Sequence, residues 1–269
     1  MNQPRYALNH MTAPAMSPEQ FFRLASSLGI SAVEIRNDLA GNAILDGTPA
    51  TEVRRLAEAQ GIEIVSINAL QRFNVWDMTR AEEAAALINY AQASGARALV
   101  LVPVNDGSGQ AEGERQANLR TALSRLRPML EAAGILGLVE PLGFEICSLR
   151  SKREAAEAIA QVGGDVFRLV HDTFHHHLAR EAEIFPELTG LVHISGVIDP
   201  DLSEADMRDE HRVLVDGADR LDNLGQIRAL LSSGYGGYLS FEPFAPSVHA
   251  EVDPAAAIGT SIAFINRSI

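Results

Sequence analysis

The chain has 269 residues, 46% of them hydrophobic and 21% charged, with a formal net charge of −13, enough to bury the core of one α/β barrel or of two smaller domains. That charge opposes phosphate backbones, whose binding rests largely on Lys and Arg, so nucleic acid is not an expected partner. No apolar run reaches the roughly 18 residues of a membrane span, and Met1-Asn2-Gln3-Pro4-Arg5 lacks the charged-then-apolar order of a signal peptide, so the expected location is the cytoplasm.

In chain order, Tyr6 to Asn9 reads as a short strand. Ser17-Pro18-Glu19 then opens an amphipathic helix with an N-cap and a proline at its first position, closing at Gly29. Ala32 to Ile35 is a strand, Thr48-Pro49 caps a helix that ends at Gly61, and Glu63 to Asn68 is the next strand. The same order recurs with a helix from about Arg80 to Ser94, a strand from Ala98 to Pro103, a long helix from about Gly113 to Ala133 and a strand from Leu136 to Glu140. A helix near Ser151 to Val162, then Gly163-Gly164, leads into a strand from Val166 towards Asp172. The next helix is weak, about Leu178 to Phe185, before strand Leu191 to Ile194; a helix from about Asp222 to Ser232, strand Tyr238 to Phe241 and a helix from Pro254 follow.

Helix, glycine and short apolar strand thus recur at spacings of roughly 30 to 40 residues, the pattern of alternating β/α units with both faces of the sheet covered. Eight such strands predict a single-domain (β/α)8 TIM barrel over residues 1–269. A doubly wound open sheet is the alternative, but no Gly-x-Gly-x-x-Gly follows the first strand.

Catalytic groups of such barrels sit at the C-terminal ends of strands. Those ends carry Glu140, Asp172, His193 (within its strand) and Glu242, on four consecutive strands. Each has an ordinary structural reading: a salt-bridge partner, or a histidine hydrogen-bonded in the core. Together, the three carboxylates would repel one another in one low-dielectric pocket unless a cation neutralised them. The single cysteine, Cys147, supplies no thiolate cluster, so oxygen and imidazole ligation is expected, suited to Mn, Co, Mg, Fe or Zn. Lys152 is the only lysine, and its place at a helix start argues against a Schiff-base aldolase. The run His171-Asp172-Thr173-Phe174-His175-His176-His177 reads as a strand end giving way to a turn at Thr173, with Asp172 and His175 facing one cavity. A surface histidine run is the alternative.

The order Glu140, Asp172, His193, Glu242, together with the Asp172-Thr173-Phe174-His175 element, resembles the xylose-isomerase-like barrel superfamily, within which the 2-keto-myo-inositol (inosose) isomerases are the most similar branch. Shorter likenesses run along the chain at Val33-Glu34-Ile35-Arg36, Asn68-Ala69-Leu70, Gly143-Phe144 and Arg212-Val213. The resemblance implies that Glu140, Asp172, His193 and Glu242 bind one divalent ion and that Glu140 and Glu242 form the acid/base pair. It also implies that His175 and Arg212 touch substrate oxygens.

The implied activity is a metal-dependent isomerase or epimerase of a keto-polyol or keto-sugar, of the intramolecular oxidoreductase type, working by proton transfer through a metal-stabilised enediolate. Related alternatives are a ketose 3-epimerase, a lyase acting by β-elimination on a 3-keto-glycoside, and a non-catalytic sugar-binding or repair-type protein. A homo-oligomeric state is left open. His10, Arg36, Trp76 and Asn105 follow strands one to four and are further candidates to line the substrate pocket; Trp76 packing over a barrel end, and Arg36 pairing with Glu34 or Asp38, are their structural readings. The chain departs from the family pattern in Ser195-Gly196 after His193, where acidic residues are usual, and in Leu214-Val215-Asp216-Gly217, where a Trp-Pro-Gly loop is expected.

Overall fold

The computed structural model describes residues 4–39, 44, 47–163 and 165–269; Met1 to Gln3 and Gly164, used in the sequence reading, lie outside them. Eight parallel strands close in sequence order into a barrel, β1 pairing with both β2 and β8. They are β1 (Arg5–Asn9), β2 (Ala32–Arg36), β3 (Glu63–Gln71), β4 (Ala98–Val102), β5 (Leu136–Val139), β6 (Phe167–Asp172), β7 (Thr189–Ile194) and β8 (Tyr238–Phe241). Between and after them run α1 (Pro18–Ser27), α2 (Ala50–Ala59), α3 (Met78–Ser94), α4 (Glu114–Ala133), α5 (Lys152–Val162), α6 (Thr173–Ala179), α7 (Asn223–Ser232), α8 (Pro246–His249) and α9 (Pro254–Ser268). The expected TIM barrel is the observed fold.

Local chemistry sets the helix ends. At α1, the Ser17 hydroxyl accepts from the Gln20 amide and the Gln20 side chain accepts from the Ser17 amide, a reciprocal cap with Pro18 at the first turn. Gly95 and Gly134 end α3 and α4 in the left-handed conformation that a missing Cβ permits. Two expected boundaries are corrected. At α2 the N-cap is Pro49, with no side-chain cap bond, so Thr48 does not cap it. In place of the helix expected at Leu178 to Phe185 stands α6, which ends at Ala179 and begins at Thr173, where the Asp172 carboxylate accepts from the amides of Phe174 (2.8 Å) and His175 (3.0 Å). The histidine run therefore lies in a helix, where the sequence reading expected a turn at Thr173.

Alternation along the strands sorts the barrel interior. Side chains two apart share a face, and inward residues Ala7, Ala32, Leu138, Val170 and Leu191 form one buried apolar cluster. Two positions further on stand Asn9, Glu34, Glu140, Asp172 and His193, all buried. The inner stripe of each of these strands thus turns from apolar to polar towards its C-terminal end. A much larger apolar cluster fills the space between sheet and helices.

Candidate active site

Glu140, Asp172, His193 and Glu242 converge as the sequence predicts: each offers a donor atom within 4.8 Å of the others, and all four side chains are buried. Glu140 and Glu242 directly follow β5 and β8, Asp172 ends β6, and His193 lies one residue inside the end of β7. His193 Nδ1 is 2.9 Å from Glu140 Oε1, 3.2 Å from Glu242 Oε2 and 3.9 Å from Asp172 Oδ2.

Two guanidiniums enter the same pocket. Arg212 donates through Nη2 to Asp172 Oδ2 (2.6 Å) and Glu242 Oε2 (3.0 Å), and through Nε to the Ser195 hydroxyl (2.9 Å). Arg36 donates to the other oxygen of Glu242 (2.8 Å) and forms a two-point pair with Asp38 (2.7 and 2.8 Å). Both guanidiniums lie against the Phe244 ring, at 5.4 Å for Arg36 and 4.6 Å for Arg212, where cation–π attraction helps to hold them. Of the two readings of Arg36 as an ion-pair partner, Asp38 is the one observed, with Glu242 in addition. Ser195, at the departure from the family pattern, anchors Arg212, and Gly196 bridges to Val213.

The electrostatics divide the two glutamates. Burial raises the pKa of Glu140, and the charges of Glu242 and Asp172 add to the rise against the opposing pull of His193. Burial would raise Glu242 as well, but His193, Arg212 and Arg36 together hold it well below the usual carboxylate range. Burial would raise Asp172 too, but the charges of Arg212, His175 and His193 together lower it. For His193, burial favours the neutral ring, yet Glu242, Glu34 and Glu140 raise its pKa well above the ordinary value.

A divalent cation fits this donor set. Four fully buried carboxylates, Glu34, Glu140, Asp172 and Glu242, meet two buried guanidiniums, Arg36 and Arg212. Oxygen and nitrogen donors without sulfur, brought together at one point, suit Mn, Mg, Co, Fe or Zn.

The predicted substrate residues fall in different places. His175 is buried in the first turn of α6, its Nδ1 has no partner, and its ring meets Phe144 and Phe174 edge-on at 5.1 and 5.2 Å. Asn105 lines a cavity of about 580 Å³ with Phe144, Arg150, Arg180, Met207 and Asp209, its Oδ1 unpartnered. None of the four converging donors lines that cavity; Asp209, bonded to Arg212 (3.1 Å), and Phe144, against His175, connect its wall to them. His10 stacks on Phe21 at 4.3 Å with Nε2 2.9 Å from the Met16 carbonyl, and burial lowers its pKa to about 4. Trp76 is half-buried against the large apolar cluster, in keeping with a packing role. Lys152 is buried against Glu181 (2.9 Å) and His176 (2.7 Å), so it presents no free amine.

Gly143 sets the seat of α6. A Cβ there would collide with the His175 carbonyl and come within 2.6 Å of Leu178 Cβ. Gly143→Ala is therefore expected to destabilise the fold by about 1–3 kcal/mol, as overpacking does, and to displace His175. The urea-denaturation midpoint checks this; an unchanged midpoint would show that α6 yields freely.

A model of the xylose isomerase-like TIM barrel family matches residues 22–268. Among curated proteins, no sequence matches the chain. A xylose isomerase domain-containing protein from Salmonella typhimurium LT2 is 38% identical, with a TM-score of 0.89 over 100% of this chain and 97% of that one. The IolI protein, whose crystal structure holds a zinc atom, superposes with a TM-score of 0.88 at 20% identity, covering 98% of this chain and 99% of its own. D-psicose 3-epimerase from Clostridium cellulolyticum H10, solved with D-tagatose, does so with a TM-score of 0.75 at 14% identity, over 98% of this chain and 99% of that one. At these lower identities the likeness concerns the fold. With nearly the whole closed barrel matched, the chain belongs to the xylose isomerase-like TIM barrel family.

Proposed function

We propose that the chain is a divalent-metal-dependent isomerase or epimerase of a small keto-polyol or keto-sugar, of the 2-keto-myo-inositol kind. The observation that carries this reading is the convergence of Glu140, Asp172, His193 and Glu242 donors within 4.8 Å at the C-terminal rim. The epimerase among the solved relatives and the zinc of the IolI structure are in keeping with it.

Glu140, Asp172, His193 and Glu242 would hold the ion. Bound there, it supplies Lewis acidity to a ketone oxygen and its neighbouring hydroxyl. The chain supplies the proton traffic. One of Glu140 and Glu242 takes the proton from the carbon bearing that hydroxyl, and a proton returned to the adjacent carbon moves the carbonyl. Return to the opposite face of the same carbon inverts it. His175 would bond a substrate oxygen, and Arg212 and Arg36 fix the orientation of Glu242 from both of its oxygens.

The test combines metal and isotope. Protein purified without chelator should carry close to one divalent ion per chain, and EDTA should abolish a turnover that Mn or Co restores. In deuterium oxide an inosose or keto-hexose should give a product of unchanged heavy-atom composition. Deuterium should appear at the reacting carbon unless one glutamate carries the original proton across. Full activity without metal would sink the metal role, and a product lighter by a leaving group would make the chain a lyase.

A further inference from the structure

Glu34 is absent from the four converging donors, yet it is 0% exposed and points into the same barrel. A buried carboxylate loses several kcal/mol of solvation unless donors replace the water, and here five side chains from four other strands do so. Ser240 (2.5 Å) and Asn9 (3.3 Å) donate to Oε1, while Ser66 and Asn68 (both 2.6 Å) donate to Oε2. The fifth is His193, whose Nε2 stands 3.1 Å from Oε1 and 3.2 Å from Oε2.

The two faces of that imidazole are unlike. Nδ1 looks at Glu140, Glu242 and Asp172, and Nε2 looks at Glu34. A neutral imidazole carries one N–H, and the nitrogen that bears it is chosen by the acceptor it meets. A bare Nε2 against the Glu34 carboxylate would set a lone pair against an anion. The tautomer with hydrogen on Nε2 avoids this and leaves Nδ1 free to ligate.

We propose that Glu34 is a positioning residue for His193: it holds the Nε2 hydrogen and so leaves a bare Nδ1 turned towards the three carboxylates. This rests on the metal-centre reading above. The four neutral donors fix the carboxylate so that it cannot swing away, and Asn9, which also donates to Glu242 Oε1 (3.1 Å), ties the arrangement to a second member of the site.

The experiment titrates zinc into the full-length, chelator-stripped chain against a chromophoric competitor. It compares wild type, Glu34→Gln and His193→Ala, with thermal melting of each metal-free form alongside. Glu34→Gln should keep a cooperative melt and bind zinc about 10–100-fold more weakly, the range found when such an outer partner is lost. Nitrogen-15 NMR of zinc-loaded wild type should show His193 protonated at Nε2, a signature that a purely structural role would not set and that needs no folded variant. Protonation at Nδ1, or zinc affinity unchanged in Glu34→Gln while His193→Ala loses it, would overturn the role of Glu34 alone. A wild-type chain that takes up no zinc, manganese or cobalt would overturn it together with the metal centre.

Discussion

Glu140→Gln is expected to lower kcat by about 10²–10⁴-fold, the usual worth of a positioned acid or base, on a substrate of the proposed keto-polyol or keto-sugar class. The substitution is isosteric, and among the described residues the Glu140 side chain is bonded to His193 (2.9 Å) and to neither Arg36 nor Arg212. Its removal therefore disturbs the fold little and reads chemistry and ligation. Glu242→Gln should also remove turnover, but it withdraws a shared partner from two buried guanidiniums, so stability and catalysis will fall together. His175→Ala, by contrast, should keep the metal and lose mainly rate or substrate affinity. Steady-state kinetics with metal content measured on the same samples separates these cases. Wild-type turnover in Glu140→Gln, or metal loss confined to His175→Ala, would exchange the roles.

Arg212→Met should destabilise the metal-free chain by about 3–5 kcal/mol, the range seen when one member of a buried ion pair is removed. Arg212 is 1% exposed, and its Nη2 is shared between Asp172 and Glu242. Methionine fills part of the volume and leaves both carboxylates facing each other without that cation. Zinc should restore part of the loss, because a divalent ion supplies the missing positive charge. Urea denaturation of the variant with and without zinc is the measurement; an unchanged metal-free stability would mean that water reaches these carboxylates.

The barrel was legible because each β/α unit states itself locally, in a capped helix, a closing glycine and an apolar run. The converging residues were legible for a related reason, since Glu140, Asp172 and Glu242 interrupt apolar runs at their C-terminal ends. Harder to read was whatever depends on a partner far along the chain. Glu34 sits in Ala32-Val33-Glu34-Ile35-Arg36, where its spacing from Ala32 places it inward, but nothing local says that a histidine 159 residues later will meet it. Ser66, Asn68 and Ser240 look like ordinary strand polar residues until barrel closure turns the inner faces of β2, β3 and β8 towards one another. The start of α6 was missed for a different reason. His175-His176-His177 shows no amphipathic period, and the signal for the helix is the acceptor Asp172 just ahead of it, which caps the helix as well as facing the site.

The order of the strands has a consequence for how the chain acquires its site. β8 is the strand that pairs with both β1 and β7, and the residue directly after it is Glu242. Until that strand docks, β1 and β7 are open edges, and the pocket holds Glu140, Asp172 and His193 without their fourth member. Ring closure and completion of the four-donor cluster are thus one topological event, so an incompletely assembled barrel also lacks the full cluster.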